Sequence, residues 1–160
     1  MRYPAVRRTG SRTTGGQSLA EFAIVFPVLF LIIAAIIQYG LVFWAQNTLT
    51  QIARDTGRWA ATQQSCDPAF ETNLVIATAN QIAGSSALFG YRAANPWNGS
   101  NVSVTWTPDV ATTHCPPQGN QEVAYIRIQL THNVPIFFPF LPVSNTLSTS
   151  TEFRMEPISR

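Results

Sequence analysis

The stretch GGQSLAEFAIVFPVLFLIIAAIIQYG, residues 15–40, decides how this chain is organised. No charged side chain occurs from Phe22 to Ala53, and no polar one occurs from Phe22 to Ile37. At about 1.5 Å per helical residue, Phe22 to Ala45 would measure about 36 Å, enough to cross a hydrocarbon core of about 30 Å. The stretch therefore predicts a membrane-spanning helix.

The charges that flank the apolar run predict its orientation. Four arginines and no acid precede Gly16, and the next cation after the run is Arg54. Because positively charged flanks stay in the cytoplasm, the N-terminus is predicted to be cytoplasmic and the remainder to lie outside. The predicted organisation is a basic cytoplasmic leader (1–16), a transmembrane helix (17–45) and a periplasmic domain (46–160).

A secretory signal peptide is the alternative interpretation of the same run. It shares the basic head and the apolar core, and the Arg7-Arg8 pair could belong to a twin-arginine signal. A signal-peptide core is usually shorter, however, and no convincing small-x-small cleavage site follows Ile37. The sequence favours a retained span over a signal peptide.

Glu21 is a lone carboxylate at the edge of the apolar run, and two accounts explain it. In the first, Ser18 is the N-cap of the helix and Glu21 closes a capping box with it. In the second, a cut after Gly16 leaves Gln17 as an N-terminal ammonium one helical turn from Glu21. That cation would offset the cost of an ionised acid in the membrane, roughly 2.5 to 3.5 kcal/mol at full depth. Both accounts stay open at this point.

The charges of the remaining chain argue against a nucleic-acid partner, and its motifs argue against an enzyme. From Gln17 onward there are six arginines, no lysine and eight acids, which leaves a net charge of −2 and no basic surface for nucleic acid. Glycine-rich phosphate loops, paired catalytic carboxylates and nucleophile motifs are absent from the sequence. We expect no catalytic residue, cofactor or metal, and structural roles for His114 and His132.

The two cysteines, Cys66 and Cys115, both follow the apolar run. If the run crosses a membrane, both thiols lie on its outer side, where an even number of cysteines favours a disulfide. A zinc site that also uses His114 and His132 is the weaker alternative, because the cysteines lack the close spacing of zinc ligands.

The periplasmic part predicts an α+β fold. The long helix is expected to continue to about Ala61, and residues 68–84 predict a second helix. Alternating apolar residues then predict three strands, around residues 102–106, 124–130 and 147–155. We expect a small antiparallel sheet packed on the outer half of the long helix.

The segment VPIFFPFLPV, residues 134–143, is apolar but cannot be a regular strand or helix, because it contains three prolines. One interpretation is a loop that covers the core or dips to the bilayer surface. The other is a docking surface for a partner protein, formed by Phe137, Phe138 and Phe140.

The residues around Glu21 resemble a known processing site. Gly16, Gln17, Glu21 and Phe22 are similar to the prepilin peptidase site of Flp-type pilins, which has glycine before the cut and Glu-Phe at the fifth and sixth positions after it. About 45 residues further resemble the N-terminal signature of TadE-like proteins. The matching positions are Glu21, Phe22, Ala23, Pro27, Gly40, Ala53, Arg54, Gly57, Arg58 and Ala60.

This resemblance implies a minor pseudopilin of the tight-adherence (Tad/Flp) pilus system in the bacterial inner membrane. The implied partners are a prepilin peptidase, other Tad/Flp pilins and pseudopilins, the inner-membrane assembly platform and the lipid bilayer. Some relatives keep their leader, so an uncleaved, membrane-anchored accessory protein of the same system is the alternative. The implied positions for helix packing and register are Glu21, Pro27, Gly40, Arg54, Gly57 and Arg58.

Overall fold

The computed structural model describes residues 15–63, 68–107 and 125–155. Two helices precede three strands, which confirms the predicted α+β fold class. The elements are α1 (Gly15–Thr62), α2 (Pro68–Ser85), β1 (Val102–Thr107), β2 (Tyr125–Asn133) and β3 (Thr146–Arg154). The predictions that concern the basic leader, Cys66, Cys115 and His114 lie outside the described residues.

The chain divides into two compact units, Met1–Ile37 and Gln38–Arg160. In the first unit, the described part is entirely helical and its large apolar side chains are exposed; Phe22, for example, is 62% exposed and Ile24 is 74% exposed. Within the described residues, one helix, Gly16–Thr62, is long and apolar enough to cross a membrane. An exposed apolar surface of this kind is typical of a helix whose solvent is lipid.

The start of α1 corrects the capping-box account of Glu21. The helix already includes Gly15, so Ser18 lies inside it and is not its N-cap. A capping box needs its serine at the non-helical residue that precedes the first turn. Glu21 therefore does not close a capping box with Ser18.

The second unit contains an antiparallel sheet with the strand order β1-β2-β3. Ile128 of the central strand pairs with Val104 of β1 and with Thr151 of β3. Side chains alternate along β2, where Ile126, Ile128 and Leu130 are buried and Arg127 and Gln129 between them are exposed. One face of the sheet is thus apolar and requires a partner element.

That partner element is the part of α1 that belongs to the same unit. The Thr151 hydroxyl donates to the Ala53 carbonyl at 3.2 Å, and Gln46 Nε2 donates to the Ser148 carbonyl at 3.2 Å. The residues that form the core of this unit are Ala45, Leu49, Ile52, Ala53, Ala60, Ala61, Val75, Ala79, Ala83, Leu88, Trp97, Val102, Ile126, Ile128, Leu130, Val134, Leu147 and Met155.

Candidate functional site

The residues that resemble a processing site lie together on the first turns of α1. Gln17, Glu21 and Phe22 are exposed, and Gly16 has no neighbouring atom within 4 Å of an ideal Cβ. Gln17 Nε2 donates a hydrogen bond to Glu21 Oε1 at 3.0 Å. Helical side chains lean toward the N-terminus of their helix, so the Glu21 carboxylate extends toward residue 17.

A row of phenylalanines continues the same exposed surface. The ring centroids of Phe22 and Phe26 are 5.4 Å apart, and those of Phe26 and Phe30 are 6.2 Å apart. Residues four apart share one helix face, so these contacts form a continuous aromatic stripe. Pro27 lies beside the stripe, and α1 continues through it.

The two glycines of the TadE-like signature have opposite surroundings. An ideal Cβ on Gly40 would meet no atom within 4 Å, whereas a Cβ on Gly57 would overlap the ring of Phe153. Gly57 therefore allows β3 to approach α1 closely. No described residue packs on Gly40 in this way, so its surface is open to another molecule.

Arg54 and Arg58 are exposed on α1, beside the outer strand β3. Together with Asp55 and Glu152 they line an open cleft of about 720 Å³. Glu152 of the cleft also forms an ion pair with Arg127 at 2.7 Å, and both of these side chains are well exposed. The cleft therefore brings two arginines and two carboxylates together.

The segment from Val134 to Val143, here called the aromatic loop, is fastened to α1 by Gln38. Gln38 is fully buried, and its Oε1 accepts hydrogen bonds from the backbone N–H groups of Phe137 at 3.0 Å and Phe138 at 3.4 Å. Even so, Phe137 is 57% exposed and Phe140 is 53% exposed. The loop thus has a fixed backbone and an exposed aromatic surface.

Further ring contacts extend this aromatic surface. The centroid of Phe89 lies 5.9 Å from that of Phe137 and 6.3 Å from that of Trp44 on α1. Sequence reasoning did not single out Gln38 or Phe89. The signal for Gln38 was present, because it is the first polar residue after a run of sixteen apolar ones.

His132 is a buried residue of β2 that is hydrogen-bonded to Trp97. The Trp97 indole N–H donates to His132 Nδ1 at 3.3 Å, and His132 Nε2 lies 2.9 Å from the Phe89 carbonyl oxygen. An indole nitrogen only donates and a carbonyl only accepts, so the proton of the neutral imidazole is on Nε2. Burial lowers the pKa of His132, against a smaller opposing effect of the hydrogen bond to Phe89.

Asn80 of α2 completes this cluster. Its side-chain amide donates to the Trp97 carbonyl at 2.9 Å and accepts from the Trp97 N–H at 2.8 Å, and the Tyr91 hydroxyl donates to Asn80 Oδ1 at 3.0 Å. These bonds fix the irregular segment that precedes β1. No periodic pattern marks them in the sequence, because they join residues from separate elements.

Metal ligands do not cluster in the part of the chain that the structure describes: it contains no group of three or more His, Cys, Asp or Glu residues that could hold an ion. The features that remain as functional candidates are the residues that resemble a processing site, the exposed apolar part of α1 and the aromatic loop.

Comparison with known proteins connects the first two of these features. The family model described as TadE-like protein matches residues 16–66, which include Gly16, Gln17, Glu21 and Phe22 and all of α1 after Gly15. No curated protein and no solved structure matches the chain. The matched segment confirms the resemblance seen in the sequence: the chain carries a TadE-like region, and this implies a component of the Tad pilus system.

Proposed function

We propose that this chain is a minor pseudopilin of a Tad/Flp pilus. It is inserted in the bacterial inner membrane with its N-terminus in the cytoplasm and its α+β domain in the periplasm. A prepilin peptidase cuts it between Gly16 and Gln17. The mature protein then takes part in assembling or priming the pilus, and through the pilus in adherence and biofilm formation.

The observation that carries this proposal is the position of Glu21 beside residue 17 on an exposed apolar helix. The two side chains are already hydrogen-bonded at 3.0 Å. After a cut that leaves Gln17 first, its ammonium lies one turn from the Glu21 carboxylate. An acid in the membrane is costly unless it is paired, so the new cation stabilises it.

The mechanism is assembly by helix packing. The exposed apolar surface of α1 packs against the helices of other pilins, and the Glu21 carboxylate pairs with the Gln17 amine of its own chain or of a neighbour. This pairing sets the axial register between helices. Gly40 offers a surface without a side chain, which allows a neighbouring helix to approach closely.

The periplasmic domain favours a special position in the pilus. It consists of a second helix and a three-stranded sheet in addition to the end of α1. Such a domain is too bulky to repeat along a thin filament of short pilins. A tip or priming position is therefore the position that we propose.

Replacing Glu21 by glutamine tests this role. Glu21→Gln keeps the length and the hydrogen-bonding capacity of the side chain but removes its charge. We expect the variant to be inserted and cut like the wild type, yet to be lost from the sheared pilus fraction. Glu21→Asp, which keeps the charge, is the matched control and should retain part of the incorporation. Normal incorporation of Glu21→Gln would contradict the proposed register function.

Two alternative functions are compatible with the same sequence features. An uncleaved accessory protein of the Tad system would keep its cytoplasmic arginines, and its Glu21 would have no new amine to pair with. A secreted domain with an ordinary signal peptide would lose the apolar run altogether. The exposed apolar surface of α1 and the match from residue 16 onward favour a protein that keeps its helix over a secreted domain, and the contact of Gln17 with Glu21 favours the cleaved pseudopilin.

A disulfide between Cys66 and Cys115 is part of the same proposal, because both residues belong to the periplasmic domain. It would close a loop of about 50 residues and stabilise the domain by up to about 4 kcal/mol. Alkylation of the unreduced protein followed by mass spectrometry tests it. Two unmodified cysteines are expected, and two alkylated ones would contradict the disulfide.

A further inference from the structure

We propose that the aromatic loop inserts into the outer leaflet of the same bilayer that α1 spans, so that it seats the periplasmic domain on the membrane surface. The inserted side chains are Phe137 and Phe140. These side chains reach the boundary between the lipid headgroups and the acyl chains. This inference requires the membrane span but not the pilus role.

The attachment point of the loop is the first argument. Gln38, which holds the backbone of Phe137 and Phe138, directly follows the apolar run. The predicted span continues for seven more residues, to Ala45. At about 1.5 Å per residue, the loop is fastened about 10 Å before the outer end of the span. A loop held at this level of the helix meets lipid when the helix crosses the bilayer.

The composition of this surface is the second argument. No charged residue occurs from Val134 to Thr151, or from Gln38 to Ala53 of α1. Tyrosine and tryptophan are enriched where membranes meet water, and α1 carries both types beside the attachment point. The exposed aromatic residues are Tyr39, Phe43, Trp44, Phe137 and Phe140.

The hydrogen bonding of the loop backbone is the third argument. Three of its ten residues are prolines, which have no N–H group to desolvate. Besides the two N–H groups bound by Gln38, the N–H of Val134 donates to Asn145 at 2.7 Å, that of Leu141 to Phe138 at 3.1 Å and that of Val143 to Leu141 at 2.9 Å. Five of the seven N–H groups in the loop therefore have acceptors within the protein.

This degree of internal satisfaction matters in lipid and is unnecessary in water. Backbone donors in a bilayer must find partners within the protein, because the hydrocarbon offers none. A loop in water needs no such arrangement, since water accepts from any exposed N–H. The remaining polar groups of the loop backbone require water or headgroups as partners, which limits the depth of insertion to the interfacial region, about 5–10 Å.

A fluorescent label on the loop tests the proposal. Phe140→Cys, labelled with the environment-sensitive NBD group, is placed as the full chain in vesicles of phosphatidylethanolamine and phosphatidylglycerol. Phe140 is exposed, so its replacement leaves the core intact. Ser150→Cys is the matched control, because Ser150 is exposed on β3 and lies outside the loop. The parent chain, labelled in parallel, measures any contribution of the native thiols.

We expect the label at position 140 to show blue-shifted emission and to be quenched severalfold more by a shallow nitroxide lipid than by one at the acyl terminus. The label at position 150 should have water-like emission and no lipid quenching. Phe137→Cys repeats the measurement at a second exposed position and should agree with position 140.

Water-like emission without lipid quenching at both loop positions would overturn the proposal. Shielding that develops only when other Tad pilins are added would overturn it as well, and would assign the loop to a protein partner. Failure of the Glu21→Gln prediction would leave this measurement unaffected, because the label reports on the bilayer and not on pilus assembly.

Discussion

The ring of Phe153 in β3 lies against Gly57 in α1 so closely that no Cβ fits between them. This contact seats the sheet on the helix within the Gln38–Arg160 unit. Gly57 also belongs to the TadE-like signature, and the contact explains physically why a residue without a side chain occupies this position. The contact contributes to the packing of the fold.

Gly57→Ala should therefore destabilise the protein. The added methyl group overpacks the contact with Phe153, which typically costs about 1–3 kcal/mol. Urea unfolding of the full chain in a mild detergent measures the change. Gly40→Ala is the matched control on the same helix, and it should be neutral or stabilising by up to about 1 kcal/mol, because its Cβ meets no atom and alanine favours helix.

A second replacement identifies the cause of the Gly57→Ala effect. Leucine is smaller than phenylalanine, so it leaves room for the added methyl group. Phe153→Leu combined with Gly57→Ala should therefore recover part of the stability that Gly57→Ala loses. The close contact is not what requires glycine at this position if Gly57→Ala is as stable as the wild type. The same holds if the effects of the two substitutions on the free energy of unfolding simply add in the double variant.

Gly40→Leu should impair assembly while leaving the single chain intact. The position has open space around it, so a leucine fits the monomer but projects from the helix surface that faces a neighbour. Co-purification with Tad pilins should fall severalfold, and the circular dichroism of the purified chain should not change. Gly40→Ala should reduce co-purification less. Full co-purification of Gly40→Leu would show that no helix approaches at Gly40.

The stability of the Gln38–Arg160 unit should fall in mild acid because of His132. Burial lowers the pKa of His132 in the folded protein, so the unfolded chain takes up the proton first as the pH falls. The stabilisation is complete above about pH 6.5, the unfolded value, and is lost as the pH falls toward the lowered folded pKa. The slope is at most about 1.4 kcal/mol per pH unit for one proton.

His132→Gln isolates this effect, because glutamine can accept from Trp97 and donate to Phe89 but does not titrate. We expect the free energy of unfolding to decrease less between pH 7.5 and pH 5 in this variant than in the wild type. Because His114 is present in both proteins, its titration cancels in the difference. Parallel curves for the two proteins would refute the assignment.

The elements of this fold could be predicted from the sequence because each has a local pattern. The apolar run predicts α1, and the alternation of Ile126, Ile128 and Leu130 with polar residues predicts β2. The capping box at Ser18 was wrong, because a four-residue signature does not fix a helix start when the preceding glycines are helical too. Long-range side-chain contacts had no local pattern.

Gln38 shows why the remainder could not be predicted. Its partners, the N–H groups of Phe137 and Phe138, are about a hundred positions away in the sequence. Periodicity reports which face of an element is buried, but not which distant backbone groups a single amide binds. The cluster of Asn80, Trp97 and His132 was missed for the same reason.

The intact mass of the protein isolated from the membranes of Tad-expressing cells tests the central claim most directly. The account predicts a membrane-bound chain that begins at Gln17 and retains the apolar run. A membrane-bound chain that still carries residues 1–16 would contradict processing at Gly16, and a water-soluble chain without residues 22–37 would contradict the membrane helix itself.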